Sequence, residues 1–222
     1  DETQLALDIA LFINGLPVAT FELKNSLTKQ TVADAVEQYK RDREPREALF
    51  AFGRCVVHFA VDDHEVRFCT HLKGKDSWFL PFNRGWNDGA GNPPNPGGLK
   101  TDYLWKDILT PAGFTDILEN YAQVVETKDD KTGRKRAIQI WPRYHQLAVV
   151  RALLADAALY SAGRRYLIQH SAGSGKSNSI AWLAHQLIGL KPAADPDGAD
   201  VFDSIIVVTD RRILDKQIRD TI

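Results

Sequence analysis

The segment Arg164-Arg-Tyr-Leu-Ile-Gln-His-Ser-Ala-Gly-Ser-Gly-Lys-Ser177 constrains the fold of this chain more than any other. A short apolar run, Tyr166-Leu-Ile168, leads into a turn that holds Gly173 and Gly175. Lys176 and Ser177 then open a long amphipathic stretch that continues through Ser179-Ile-Ala-Trp-Leu-Ala-His-Gln-Leu-Ile188. Strand, tight loop and helix N-terminus, in that order, form the setting of a phosphate-binding loop. Backbone N–H groups of Ser174 to Ser177 can converge there on phosphate oxygens, helped by the positive end of the helix. Lys176 adds a mobile charge for the terminal phosphates, and the Ser177 hydroxyl can ligate Mg²⁺. A chance Gly-Lys-Ser in a surface turn is the competing reading, and the flanking strand and helix patterns weigh against it. The expected ligand is ATP.

At 222 residues the chain can form one large domain or two ordinary ones. Its 44% hydrophobic and 26% charged content is that of a folded globular protein rather than a disordered one. The net charge of −1 decides nothing about nucleic acid, because local basic patches coexist with overall neutrality. No apolar run approaches membrane-span length and no signal-peptide pattern is visible, so a cytoplasmic location without a membrane partner is expected. Cys55 and Cys69 lack neighbours at metal-ligand spacing and read as buried thiols in a reducing compartment. The chain has no Met, even at position 1, and Asp1 is read as a cut end.

Residues 5–24 read as a β-hairpin in which Asn14-Gly15 marks the turn. A helix is expected from about Lys29 to Arg43, with Val32, Val36 and Tyr39 on one side. Leu49 to Ala60 is strand-like, and Val66 to Leu72 reads as its hairpin partner. Asn83 to Lys100 is a loop, and Tyr103 to Ala122 holds two short helical stretches split by Pro111 and Gly113. Glu126-Thr-Lys-Asp-Asp-Lys-Thr-Gly-Arg-Lys-Arg136 is a solvated charge run and the best candidate linker. Beyond it come an amphipathic helix from Tyr144 to Ala162, then the strand and loop above. A loop follows at Asp195 to Asp200, and a buried strand, Ser204-Ile-Ile-Val-Val-Thr209, leads into a further helix.

A second constellation lies in the first hairpin. Glu22 and Lys24 stand two apart on a strand, so both side chains point to one face. Directly opposite residues of an antiparallel pair share a face, so the sum of their numbers is fixed. A sum of 30 sets Leu7 against Leu23, Ile9 against Phe21 and Leu11 against Ala19, which makes an apolar face. The same register puts Asp8 opposite Glu22. A sum of 29, which a two-residue Asn14-Gly15 turn imposes, puts Asp8 against Phe21 instead. The apolar pattern therefore favours an odd loop, Asn14-Gly15-Leu16, with Gly15 left-handed. Two adjacent carboxylates repel, and a hard divalent metal such as Mg²⁺ between Asp8 and Glu22 resolves the conflict. Lys24 can then orient a water or stabilise charge at a phosphate. The alternative is a solvated strand face carrying a surface ion pair, and spacing alone does not choose between them.

With both constellations in view, the chain resembles the restriction (motor) subunit of Type I restriction–modification enzymes. The resemblance runs through Asp8-Ile-Ala-Leu-Phe-Ile-Asn-Gly-Leu-Pro17, Phe21-Glu-Leu-Lys-Asn25, Val57-His-Phe-Ala-Val-Asp-Asp63, Phe79-Leu-Pro-Phe-Asn83, Arg143-Tyr-His-Gln146 and His170-Ser-Ala-Gly-Ser-Gly-Lys-Ser177. It implies an α/β architecture: an endonuclease-like domain of the PD-(D/E)xK type over 1–125, a charged linker over 126–137, and over 138–222 the first part of a RecA-like ATP-binding domain of a superfamily 2 motor. It implies Asp8, Glu22 and Lys24 as catalytic residues, with Mg²⁺ held by Asp8 and Glu22. Gln146 then recognises adenine, while Gly173, Ser174, Gly175, Lys176 and Ser177 bind the ATP phosphates, Ser177 through Mg²⁺. Val207-Val-Thr-Asp-Arg-Arg-Ile-Leu-Asp-Lys-Gln217 resembles the next motor motif. The implied activity is ATP-dependent cutting of double-stranded DNA in a prokaryotic cytoplasm, alongside DNA-specificity and methyltransferase subunits. The fragment itself is expected to lack ATPase and translocase activity.

Two departures from the family pattern stand out. His170 occupies the first glycine position of a standard phosphate loop. The family's Gln-x-x-x-Tyr helix motif could use Tyr39, but Ala35 holds the glutamine position and Gln38 is displaced, so that helix is left out of the expected site. The other functions weighed are a DNA-repair helicase with a fused nuclease, and a degenerate nuclease fold serving as a DNA-binding or subunit-docking module.

Overall fold

In a computed structural model, residues 6–128, 133 and 135–209 are described. The helix expected after Thr209, most of the Val207 to Gln217 block, and Arg134 lie outside them. The chain divides into two compact units, residues 1–143 and 144–222, and each is treated by itself.

The first unit is mixed α/β. Five strands form one sheet in sequence order: β1 (Ile9–Ile13), β2 (Leu16–Leu23), β3 (Val57–Val61), β4 (Val66–Cys69) and β5 (Leu80–Pro81). Only β2 and β3 run parallel. A parallel pair requires a crossover, and the connection that supplies it carries α1 (Val32–Asp42). Helix α1 starts where the buried Asp62 accepts a hydrogen bond from the Val32 N–H at 2.7 Å, which ties the helix N-terminus to the end of β3.

Alternation along β2 and β3 sends successive side chains to opposite faces. On one face Val32, Ala35, Val36 and Tyr39 of α1 pack against Phe50, Ala60, Cys69 and Leu72. On the other, Phe21 stacks on Phe59 with ring centroids 5.2 Å apart, and Trp141 packs against Phe59, Phe82 and Phe114. Between α1 and the sheet lies a buried polar group. The Thr20 hydroxyl pairs with the Tyr39 hydroxyl at 2.8 Å and with His58 Nδ1 at 2.7 Å. Burial pushes the His58 imidazole down to about 3, with the charge of His71 adding to the effect.

The first hairpin contains both registers weighed from the sequence. Next to the turn, Ile13 opposes Leu16 and Phe12 opposes Pro17. Beyond a bulge, Leu11 opposes Ala19, Ala10 opposes Thr20 and Ile9 opposes Phe21. The turn is the two-residue Asn14-Gly15, with φ of 50° and 80°, rather than the three-residue loop expected. The additional residue is Val18, inserted in the strand as a bulge. The apolar pattern thus decides the register near Asp8, and the turn chemistry decides it near Gly15.

Several expected elements differ. Only residues 57–61 of the run from Leu49 are strand, the earlier part being turns. The two helical stretches expected over 103–122 divide just before Pro111, which begins α2 (Pro111–Asn120), where its missing N–H costs nothing and Thr110 caps the turn; Gly113 lies inside α2 and breaks nothing. A π-helical turn, Leu104–Ile108, precedes it. The charged run over 126–137 is not a bare linker, because its two flanks pair as an antiparallel hairpin of β6 (Gln123–Lys128) and β7 (Lys135–Ile140). Gln139 anchors that hairpin through its side-chain amide, bonded to the carbonyls of Cys55 and Val56.

In the second unit α3 (Tyr144–Tyr160) and α4 (Lys176–Leu187) form as expected. The strands expected at 166–168 and 204–209 do not. Leu167, Ile206 and Val208 are 92%, 82% and 88% exposed, with no ladder to either side among the described residues. Apolar runs of this length become strands only when neighbours take up their backbone groups, and among the described residues none does. No helix among the described residues is long and apolar enough to cross a membrane.

Candidate active site

The hairpin brings Asp8, Glu22 and Lys24 to the α1 side of the sheet. Glu22 alternates with Thr20, which faces Tyr39 of α1, and Lys24 follows two residues later. Asp8 lies one residue before β1, where Ile9 opposes Phe21. Its Oδ2 accepts a hydrogen bond from the Leu23 N–H at 2.7 Å, which fastens it across the hairpin beside Glu22. Lys24 is partly buried, and its Nζ donates to Gln38 Oε1 at 2.5 Å. The helix left out on sequence grounds therefore reaches the site. Ala35 is fully buried in the core, and Gln38 presents its amide to Lys24.

Glu22 is 0% exposed. Arg43, the residue that ends α1, lies beside it. Arg43 Nη2 is 2.5 Å and Nε 2.6 Å from the same carboxylate oxygen, Oε1. Oε2 is buried with no hydrogen-bond partner among the described residues. Burial pushes the Glu22 carboxyl up to about 7, against the opposing hydrogen bond and charge of Arg43. The negative charge of Asp8 adds to the rise, and Lys24 opposes it.

This donor set can be tested against a metal. No group of three or more His, Cys, Asp and Glu side chains gathers among the described residues, which excludes a protein-caged ion of the zinc-finger kind there. Two carboxylates, one with an unmet buried oxygen, suit a hard cation that keeps most of its coordination for water and phosphate. Mg²⁺ fits that description.

In the second unit, Gly173 and Gly175 adopt φ of 74° and 81°, the left-handed conformation that folds the loop back onto the start of α4. Lys176 opens the helix, and its Nζ donates to the carbonyls of His170 and Ser171 at 3.1 and 2.8 Å. Those two carbonyls hold the ammonium over the loop. Gln146, at the start of α3, is buried and gives its amide to the carbonyls of Ser174 and Gly175 at 3.2 and 2.8 Å. A Cβ on Gly175 would stand 2.3 Å from Gln146 Nε2, so the glycine leaves room for that brace. His145 Nε2 lies 3.0 Å from the Ser174 carbonyl, and the His145 and His170 rings meet edge to face at 4.9 Å. The histidine that replaces a glycine at position 170 thus packs on the block that carries Gln146.

Comparison with known proteins agrees with both halves. Residues 1–77 match the family described as the Type I restriction enzyme R protein N terminus, and residues 145–222 match the SWI2/SNF2 ATPase family. Over 220 residues, 97% of the chain, it is 26% identical to a Methanocaldococcus jannaschii protein assigned as the MjaVIIIP Type I restriction enzyme endonuclease subunit. Over 225 residues, 96% of the chain, it is 24% identical to the Type I restriction enzyme HindI endonuclease subunit of Haemophilus influenzae. Over nearly its whole length the chain is similar to Type I restriction endonuclease subunits. It spans about a fifth of the length of these relatives, 19% of each. No solved structure matches it.

Two side chains that reach the candidate site, Gln38 on Lys24 and Arg43 on Glu22, escaped the sequence reading. Gln38 was displaced from its expected spacing, and Arg43 is one charge in the run Lys40-Arg-Asp-Arg-Glu44. Nothing in the sequence reading pointed to Arg43, because the burial of Glu22 that calls for a cation emerges only in the structure. By contrast, Asp62 and Asp63, which look like further acids for a site, are occupied locally. Asp62 binds the N–H groups of Val32, His64 and Glu65, and Asp63 binds Ser26.

Proposed function

We propose that the chain carries the nuclease site and the first ATP-binding elements of a Type I restriction endonuclease subunit, with its first unit built on the PD-(D/E)xK plan. The observation that carries this reading is the buried Glu22 carboxylate with one unmet oxygen, next but one to Lys24 and one residue from Leu23, whose N–H holds Asp8. In this reading Asp8 and Glu22 hold Mg²⁺, and Lys24, held by Gln38, faces the phosphate to be cut. The ion supplies activation of water and neutralisation of phosphate charge. Lys24 contributes a further positive charge toward the developing phosphorane. The substrate is double-stranded DNA, and the working partners are the DNA-specificity and methyltransferase subunits in a prokaryotic cytoplasm.

The phosphate loop gives the second half of the proposal. Lys176 leaves the His170 and Ser171 carbonyls for the ATP phosphates, and Ser177 ligates Mg²⁺. Gln146 braces the loop from below and contacts adenine, so base recognition and loop shape depend on one side chain. ATP hydrolysis then drives DNA translocation in the whole subunit.

The test uses the full-length subunit assembled with its partners on circular DNA carrying the recognition site. Lys24→Ala is expected to lower linearisation by at least about 10²-fold while ATP hydrolysis continues, the loss that follows from removing one charge-stabilising group. Lys176→Ala is expected to abolish both. Undiminished cutting by Lys24→Ala would place the nuclease elsewhere.

A further inference from the structure

We propose that Arg43 is a positioning residue of the metal site, setting the separation of Asp8 and Glu22 by clasping both of the segments that carry them. This rests on the reading of the hairpin as a metal-binding nuclease site. The guanidinium is buried, and its donors divide between two segments. Nε and Nη2 both go to Glu22 Oε1, and Nη2 also donates to the backbone carbonyl of Ala6 at 2.6 Å, two residues before Asp8. One planar group thereby bridges the approach to β1 and the side chain on β2.

The choice of oxygen is the second argument. An arginine that serves only to neutralise a buried carboxylate gains most from a fork across both oxygens. Here both N–H contacts fall on Oε1, and Oε2 remains buried and unmet among the described residues. An unmet buried oxygen carries the full desolvation penalty of the group. A cation at Oε2 removes that penalty, and Arg43 fixes the rotamer that offers it. Lysine cannot reproduce this arrangement, because its ammonium is a point charge on a flexible stem without a planar set of donors.

The experiment titrates Mn²⁺ alone into the 222-residue chain by calorimetry, with Mn²⁺ electron paramagnetic resonance as a second count of bound ion. Wild type, Asp8→Ala, Arg43→Lys and Arg43→Ala are compared, each with a metal-free thermal melt. We expect the wild type to bind Mn²⁺ and Asp8→Ala to lose it. Arg43→Lys is expected to remain folded and bind at least tenfold more weakly. Should Arg43→Ala fail to fold, Arg43→Lys decides the matter. A merely structural arginine would lower the melting temperature of Arg43→Lys and leave its Mn²⁺ affinity within twofold of wild type, which would overturn the proposal while leaving the metal site standing. Tighter binding by either Arg43 variant would also overturn it, since Arg43 would then be a competitor for Glu22. A wild type that binds no Mn²⁺, or an Asp8→Ala variant that binds as well as wild type, would overturn the nuclease reading and this inference together.

Discussion

Glu22→Ala is expected to destabilise the chain by about 3–5 kcal/mol, far more than a surface strand substitution. The reason is Arg43, which stays buried when its counter-charge is removed. Breaking one side of a buried ion pair leaves a charge in low dielectric with little to compensate it, whereas removing both sides is often neutral. Glu22→Gln keeps the volume and an acceptor oxygen, so it should cost less. Urea denaturation of the two variants in metal-free buffer measures the difference. A loss under about 1 kcal/mol for Glu22→Ala would mean that water reaches Arg43 and that the pair is not buried. The result bears on how activity is tested. A Glu22 variant confounds folding with chemistry, while Lys24 is only partly buried and bonded through its side chain to Gln38, so Lys24→Ala separates the two.

A second large effect concerns acid. His58 is buried between α1 and the sheet, with its folded-state pKa pushed down to about 3 from the usual 6.5. The unfolded chain takes up this proton near pH 6.5 and the folded chain does not. Stability from His58 is therefore complete above pH 6.5 and is lost as pH falls toward 3, on the order of 4 kcal/mol at the low end. Glu22 acts in the opposite sense. Its folded pKa of about 7 lies above the unfolded value of 4.5, so its contribution is complete below pH 4.5 and is lost as pH rises through 7. The two trends offset each other between about pH 4.5 and 6.5, and only the His58 loss remains below. Melting temperature should accordingly fall steeply under pH 4.5, and the His58 ring proton resonance should stay at its neutral position down to about pH 4. A His58 titration near 6.5 would show that the imidazole is hydrated and that the Thr20–Tyr39–His58 group is not closed.

The legible parts of this fold were those specified by local chemistry. Alternation in β2 identified the face of Glu22 and Lys24, and Asn14-Gly15 marked the turn. What local chemistry could not supply was the bulge at Val18, which reconciles an even turn with an odd register. Helix α4 and its glycine loop follow from spacing and helix-start signals, and both were readable. The runs at 166–168 and 204–209 carry strand-like residues, but a strand exists only with its neighbours, and propensity alone does not provide them. The charged run before the second unit misled in the other direction, because its central residues hid the pairing of Gln123–Lys128 with Lys135–Ile140.

The candidate site divides along the same line. Asp8, Glu22 and Lys24 share a face by period and register, so sequence reaches them. Gln38 and Arg43 arrive from α1 by tertiary packing and have no spacing rule relative to β2. The same holds in the phosphate loop: Lys176 and the two glycines are explicit in the chain, while the contacts of His145 and Gln146 with the loop depend on how α3 packs.

The measurement that tests the metal site most directly is anomalous scattering from crystals of the chain soaked in Mn²⁺, recorded at the manganese edge. We expect a single strong peak at the first hairpin, about 2.0–2.6 Å from an Asp8 carboxylate oxygen and from Glu22 Oε2, with Arg43 still on Oε1. A featureless map at those two carboxylates, or a peak confined to another part of the chain, would contradict the assignment of this hairpin as the nuclease centre.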